Sequence, residues 1–281
     1  MIGAADVREL ARAQSLRDTV VEKDYVLGWL LWGLAVEPAL GPSWAFKGGT
    51  CLRKCYFAEY RFSEDLDFTI TSPASFSVTD LREQLAAAAR RVYEASGIEV
   101  PLDLIRVQSY VTRRGTPATE VRLSYRGPLS ARGDLPRVRL DLTLDEAVVG
   151  PPILRPVSHP YPDHLPGGAR ARSYSLAEIL GEKLRALGDR CLPRDLYDVV
   201  NIHRRAGVGL HGADVREILH AKCAHKGLEV PTLASVLRQV DAGEIHSEWE
   251  NMLRYQLPAL PPAEEFVAEL PGLFAWLQVD P

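Results

Sequence analysis

The residues best suited to chemistry are two carboxylates set two positions apart. In Ser63-Glu64-Asp65-Leu66-Asp67-Phe68 the pattern predicts a strand that continues to Ile70. A side-chain period of two sends Asp65 and Asp67 to one face and Leu66 and Phe68 to the other. Two carboxylates about 7 Å apart along a strand repel unless something positive lies between them. Mg2+ or Mn2+ fits that need, because hard oxygen ligands hold it while positions stay open for phosphate oxygens. The pair alone is a weak signal, since polar strands often carry such spacing.

Its surroundings strengthen it. Gly48-Gly49 follows the short apolar run Trp44 to Phe46 and opens a helical stretch from about Thr50 to Phe57. Backbone N–H groups at such a turn can hold a phosphate, and glycine permits close approach and positive φ. An ordinary tight strand-to-helix turn would read the same way. A third carboxylate, Asp141, lies in the run Arg137 to Leu144, opposite the face of Val138, Leu140, Leu142 and Leu144. A two-metal phosphoryl-transfer site needs a carboxylate that bridges the ions and another at the attacking hydroxyl. Asp65, Asp67 and Asp141 would supply that set; the bland alternative for Asp141 is an exposed strand acid beside Arg139.

The elements that position these residues can be read around them. Asp6 to Val36 reads as one or two helices, with Tyr25, Trp29 and Trp32 as a core stripe. Val78 to Ser96 is a helix, with Thr79 and Asp80 as its N-terminal signals. Strands are expected near Leu104 to Val111 and Thr119 to Tyr125. A Pro/Gly-rich segment, 150–168, marks a boundary beyond which everything reads helical. Ser175-Leu-Ala-Glu178 there is a capping box, followed by Leu176, Leu180, Leu184 and Leu187 along one side.

The 281 residues carry 46% apolar and 25% charged side chains and a formal charge of −4, ordinary for a soluble globular chain. Total charge therefore makes no case for nucleic acid, but its distribution is uneven. Between Pro101 and Leu140 stand eight arginines (Arg106, Arg113, Arg114, Arg122, Arg126, Arg132, Arg137, Arg139) against three acids. Such a stretch can hold phosphates through bidentate guanidinium forks, or it can be a solvated face. The longest apolar run, Tyr25 to Val36, is too short to span a bilayer, which takes roughly 20 residues. The N-terminus has no secretory pattern. Four scattered cysteines show no zinc spacing, nor do His220, Cys223 and His225. The reading is of a cytoplasmic, reduced protein.

Phe46-Lys47-Gly48-Gly49-Thr50-x-Leu52-x-Lys54, followed by Tyr60-Arg61-Phe62-Ser63-Glu64-Asp65-Leu66-Asp67-Phe68, resembles the signature of the AbiEii-type nucleotidyltransferase toxins, within the polymerase-β-like nucleotidyltransferase superfamily. The likeness extends to Val21-Glu22-Lys23-Asp24-Tyr25, to the run from Glu178 through Lys183 to Leu187, and to Arg194-Asp195-Leu196-Tyr197-Asp198. It covers most of the chain. The resemblance implies an α/β (α+β) fold: a mixed-sheet nucleotidyltransferase domain with N-terminal helices over residues 1–170, then a helical C-terminal domain over 171–281 that completes the cleft. It also implies the toxin of a toxin–antitoxin or abortive-infection pair. The antitoxin would be a separate winged-helix protein. Relatives move a nucleotide from a nucleoside triphosphate to RNA, with the tRNA acceptor end as the known target class.

On that reading an RNA 3′-hydroxyl attacks the α-phosphate. Asp65 and Asp67 hold the metals, Asp141 positions or deprotonates the hydroxyl, and Gly48, Gly49 and Thr50 cradle the outer phosphates with Arg61 and Ser63 close by. Lys183, beside the Leu180/Leu184 stripe, would stabilise charge on the departing pyrophosphate; alternatively it snorkels from a helix flank. Asp195 would orient Lys183 or touch the nucleotide, or else simply favour a helix N-terminus, and Asp198 is read as structural. Two rival functions use the same residues: another magnesium-dependent phosphoryl transferase, kinase-like or nuclease, and a nucleotide-binding module without activity.

Overall fold

The computed structural model describes residues 1–73, 76–112, 115–130, 133–205, 207 and 209–278. Arg113, Arg114 and Arg132 of the arginine-rich stretch lie outside the described residues. The chain divides into two compact units, Met1–Asp145 with Pro152–Ser173, and Glu146–Pro151 with Tyr174–Pro281. The division falls at Ser173, a few residues beyond the expected 170, because a last strand belongs to the first unit. The short piece 146–151 joins the second.

The first unit opens with helices α1 (Ala4–Ala13) and α2 (Asp18–Val36). The order then runs β1 (Trp44–Lys47), α3 (Gly48–Cys51), which continues into a π-helical turn over Leu52–Tyr56, β2 (Asp65–Ile70) and α4 (Val78–Ser96). Strands β3 (Arg106–Val111), β4 (Pro117–Ser124), β5 (Arg137–Thr143), β6 (Ile153–Pro156) and β7 (Arg170–Ser173) follow. The strands form one mixed seven-stranded sheet in the order β3-β4-β5-β2-β1-β7-β6. Only β2/β5 and β1/β7 pair parallel.

The alternation along each strand decides which face is core. Leu66, Phe68, Val121, Leu123, Val138, Leu140, Leu142, Trp44 and Phe46 are all buried. Each such side chain contributes about 1.5–3 kcal/mol relative to exposure. Helices α2 and α4 pack closely, for a Cβ built on Gly33 would come within 2.5 Å of Val92 Cγ2. Trp29 and Trp32 lie in that core, edge to face. The N-cap of α4 is Ser77, whose hydroxyl accepts from the Asp80 amide, so the helix signal sits two residues before Thr79. It ends at Gly97 with φ +77°, a left-handed cap.

The second unit is helical: α5 (Leu176–Arg190), α6 (Pro193–Arg204), α7 (Gly212–Lys226), α8 (Leu233–Asp241), α9 (Glu244–Leu253), α10 (Ala263–Val267) and α11 (Leu270–Gln278). Leu180, Leu184 and Leu187 are fully buried, with Val215, Leu219, Val199 and Ile202. The capping box is only half formed. Ser175 accepts from the Glu178 amide, but the Glu178 carboxylate turns away to accept from the amides of Val149 and Gly150 and to pair with Lys222 at 2.7 Å. Lys222 also donates to the Ala147 carbonyl. These bonds tie 146–151 to the second unit. The expectation of helix alone after 150–168 fails at β7, and β6 lies within that segment; both are four-residue strands too short to show a period.

Among the described residues no helix is long and apolar enough to cross a membrane.

Candidate active site

Strands β2 and β5 lie side by side in parallel, with Asp65 opposite Arg139 and Asp67 opposite Asp141. Cross-strand partners project to the same face of a sheet. The register therefore gathers Asp65, Asp67 and Asp141 on one face, away from the leucines. Two rows cross that face. Gln108, Glu120, Asp141, Asp67 and Lys47 form one; Arg106, Arg122, Arg139 and Asp65 form the next.

The Gly-Gly turn lies directly against this face. Gly48 has φ +77°, and a Cβ built on it would fall 2.2 Å from Asp67 Oδ2. A Cβ on Gly49 would fall 2.6 Å from Arg61 Nη2 and 3.2 Å from Ser63 Oγ. Neither position tolerates a side chain without moving a polar group of the site. Of the expected cradle, Gly48, Gly49, Arg61 and Ser63 are brought together, with the expected metal carboxylate Asp67 against Gly48. Thr50 is there too, but its side chain faces inward: it is fully buried and donates to the Asp65 carbonyl, pinning β2 to the helix.

The charge balance is held by Arg139. Its guanidinium reaches Asp65 at 2.6 Å and Asp141 at 3.2 Å, and extends toward Glu120 at 3.9 Å. Burial, then the nearby charge of Asp67, pushes the Asp141 carboxyl up to about 6 although Arg139 opposes the rise. Among the described residues no group of three or more His, Cys, Asp or Glu stands ready to hold a metal ion. Asp65, Asp67 and Asp141 nonetheless present oxygen donors on one sheet face, the ligand type a hard divalent cation takes. Arg139 carried little weight in the sequence because an arginine beside a strand carboxylate is common. Its parity with Arg137 and Asp141 was the available signal.

Lys23 and Asp24, motif residues with no derivable role, gain one here. Asp24 is 1% exposed and accepts from Arg53 and Lys54 at 2.8 Å each, and from the Tyr161 hydroxyl at 2.7 Å. Burial alone would raise its carboxyl, but Lys54 and Arg53 hold it well below the usual range. Both cations lie on the π-helical turn behind Gly48-Gly49, so Asp24 anchors that turn to α2. Lys23 pairs with Glu64, next to Asp65, at 3.0 Å.

Lys183 and Asp195 belong to the second unit. Lys183 pairs with Asp195 at 3.3 Å and with Asp198 at 2.8 Å, and both carboxylates are fully buried. Arg190, at the end of α5, holds Asp195 through two bonds of 2.7 and 3.0 Å. Asp195 thus orients Lys183, and Asp198 shares the task.

Two solved structures share this fold. MenT4, a nucleotidyltransferase toxin from Mycobacterium tuberculosis H37Rv, superposes with a TM-score of 0.60 at 20% identity, covering 100% of this chain and 91% of that one. JHP933 from Helicobacter pylori gives 0.58 at 16% identity, covering 93% of each chain. No curated protein matches. The family model for the nucleotidyl transferase AbiEii toxin of type IV toxin–antitoxin systems matches residues 29–277, and this chain belongs to that family.

Proposed function

We propose that the chain transfers a nucleotide from a nucleoside triphosphate to the 3′-hydroxyl of an RNA, with a tRNA acceptor end as the favoured target, and is held in check by a separate antitoxin. The observation that carries this reading is the seating of Gly48 on Asp67, with Asp65 and Asp141 beside it on one sheet face. A nuclease has no need of a phosphate cradle against its carboxylates. Family membership supports a nucleotide substrate and an antitoxin partner.

Asp65, Asp67 and Asp141 would hold Mg2+ or Mn2+, which supplies charge neutralisation at the triphosphate and the attacking oxygen. The chain's own groups do the rest. Backbone amides at Gly48-Gly49 bind the outer phosphates, with Arg61 and Ser63 beneath the turn. Asp141 accepts the proton of the attacking hydroxyl. The new bond joins that oxygen to the α-phosphorus, the α–β bridging bond breaks, and pyrophosphate leaves.

The test is incubation with total RNA, magnesium and each α-labelled triphosphate in turn, with Asp67→Ala as control. Label in a discrete RNA band, absent with the variant, is the expected result. Shortened RNA without label would instead establish a nuclease.

A further inference from the structure

The sheet face that bears the carboxylates does not end with them. Toward the β3 edge it opens into a groove of about 810 Å³ lined by Arg106, Gln108, Glu120, Arg122, Arg126 and Arg137, among others. Four guanidiniums face two carboxylates there, Glu120 and Asp134, inside a chain whose total charge is negative. The register makes the placement directional. Arg106, Arg122 and Arg139 stand in one cross-strand row whose next member is Asp65. Neighbouring strands are about 4.8 Å apart, so the row is a ladder of positive charge leading to the carboxylate site.

All four groove arginines are exposed. Arg122 is closest to Glu120 through Nε, and Arg126 to Glu99 through Nε. Both guanidiniums are about half exposed, so water screens these pairs and a phosphate can compete for the outer nitrogens.

We infer that this groove is the track for the acceptor strand, with Arg106, Arg122 and Arg137 gripping the phosphates that precede the reacting 3′-hydroxyl. The inference rests on the proposed transfer to RNA and adds where the acceptor lies. A single strand suits the geometry, because Arg106 and Arg122 lie in the row that leads to Asp65 and Arg137 stands one row over on the same sheet face, opposite Ser124. The contacts go to phosphate, so they position the strand and carry no sequence information.

The test uses the full chain and a fluorescent single-stranded RNA with a free 3′-hydroxyl, titrated at several salt concentrations. Each lost phosphate contact lowers the slope of log affinity against log salt by about 0.7 for a single strand. The triple variant Arg106→Gln/Arg122→Gln/Arg137→Gln should therefore lose about two from that slope. Binding of a nucleoside triphosphate, measured separately, should not change. The matching triple lysine variant should keep most of the slope, which separates lost charge from misfolding. If the glutamine variant binds RNA with unchanged affinity and slope, the groove is not the acceptor track. If the wild-type protein labels a protein and neither binds nor labels RNA, the proposed function itself fails.

Discussion

The Asp67 carboxylate occupies the space a side chain on Gly48 would require. A Cβ there would lie 2.2 Å from Oδ2, on a residue whose φ is +77°. Gly48→Ala must therefore either push Asp67 aside or leave the left-handed region, which costs a non-glycine residue about 1–2 kcal/mol. The expected outcome is a modest fall in melting temperature with a disproportionate loss of transfer, on the order of 100-fold, since a 1 Å displacement at a reacting site has that effect. Steady-state kinetics beside thermal melts check it. Unimpaired transfer would mean that the turn does not set the position of Asp67.

Asp24 should behave as a structural residue despite its place in the family motif. It neutralises two cations that are 6% and 1% exposed. Asp24→Asn leaves Arg53 and Lys54 buried without their counter-charge, a loss of about 3–5 kcal/mol. Because its folded pKa is depressed, the stability it contributes is present above the unfolded value near 4 and is lost as pH falls further. Urea unfolding at pH 7 should show a large fall for the variant, and the gap from wild type should narrow in acid. Equal stability at pH 7 would show that the buried pairs are dispensable.

Asp141 should show the opposite dependence. Its folded pKa, about 6, lies above the unfolded value of 3.8. The folded state then binds more protons than the unfolded chain between these values, so this group's contribution declines as pH rises from about 4 to 6. Asp141→Asn removes the cost of burying that charge together with its repulsion from Asp67. In the absence of divalent cation it should be more stable than wild type at pH 7.5, by on the order of 1–3 kcal/mol, and equal to it near pH 4. Added magnesium should stabilise wild type and narrow the difference. A variant less stable at both pH values would assign Asp141 a structural bond instead.

These outcomes bear on what the sequence made legible. The carboxylate spacing, the Gly-Gly turn and the polar face of β5 are local patterns, and the sheet register joined them as their periods required. Long-range pairings were not legible. Nothing local links Asp24 to Arg53 and Lys54, 29 and 30 positions away, or Glu178 to Lys222. Thr50 has the type and place of a phosphate ligand, yet its hydroxyl serves the Asp65 carbonyl, a choice made by the packing of α3 on β2. Strands β6 and β7 are too short for periodicity to register, so the pairing of β7 with β1 and of β6 with β7 depends on the fold rather than on their own sequence.

The cluster in the second unit separates two roles that the sequence left together. Asp195 is fully buried and holds both Lys183 and Arg190, while Asp198 holds Lys183 more closely. Burial would raise the Asp195 carboxyl, but Lys183 and Arg190 lower it below its ordinary value. Asp195→Asn should therefore destabilise the protein by about 3–5 kcal/mol, because it strips charge from a desolvated network rather than from a surface pair. Lys183→Met removes the shared cation but leaves Arg190 on Asp195, so its melting temperature should fall less. If Lys183 acts only within the network, transfer by Lys183→Met should recover fully once measured well below its melting temperature. If it also steadies the departing pyrophosphate, the rate should stay low by about two orders of magnitude, with nucleotide affinity little changed. Comparing kcat and KM for the two variants at one temperature, on samples shown to be folded, decides between them.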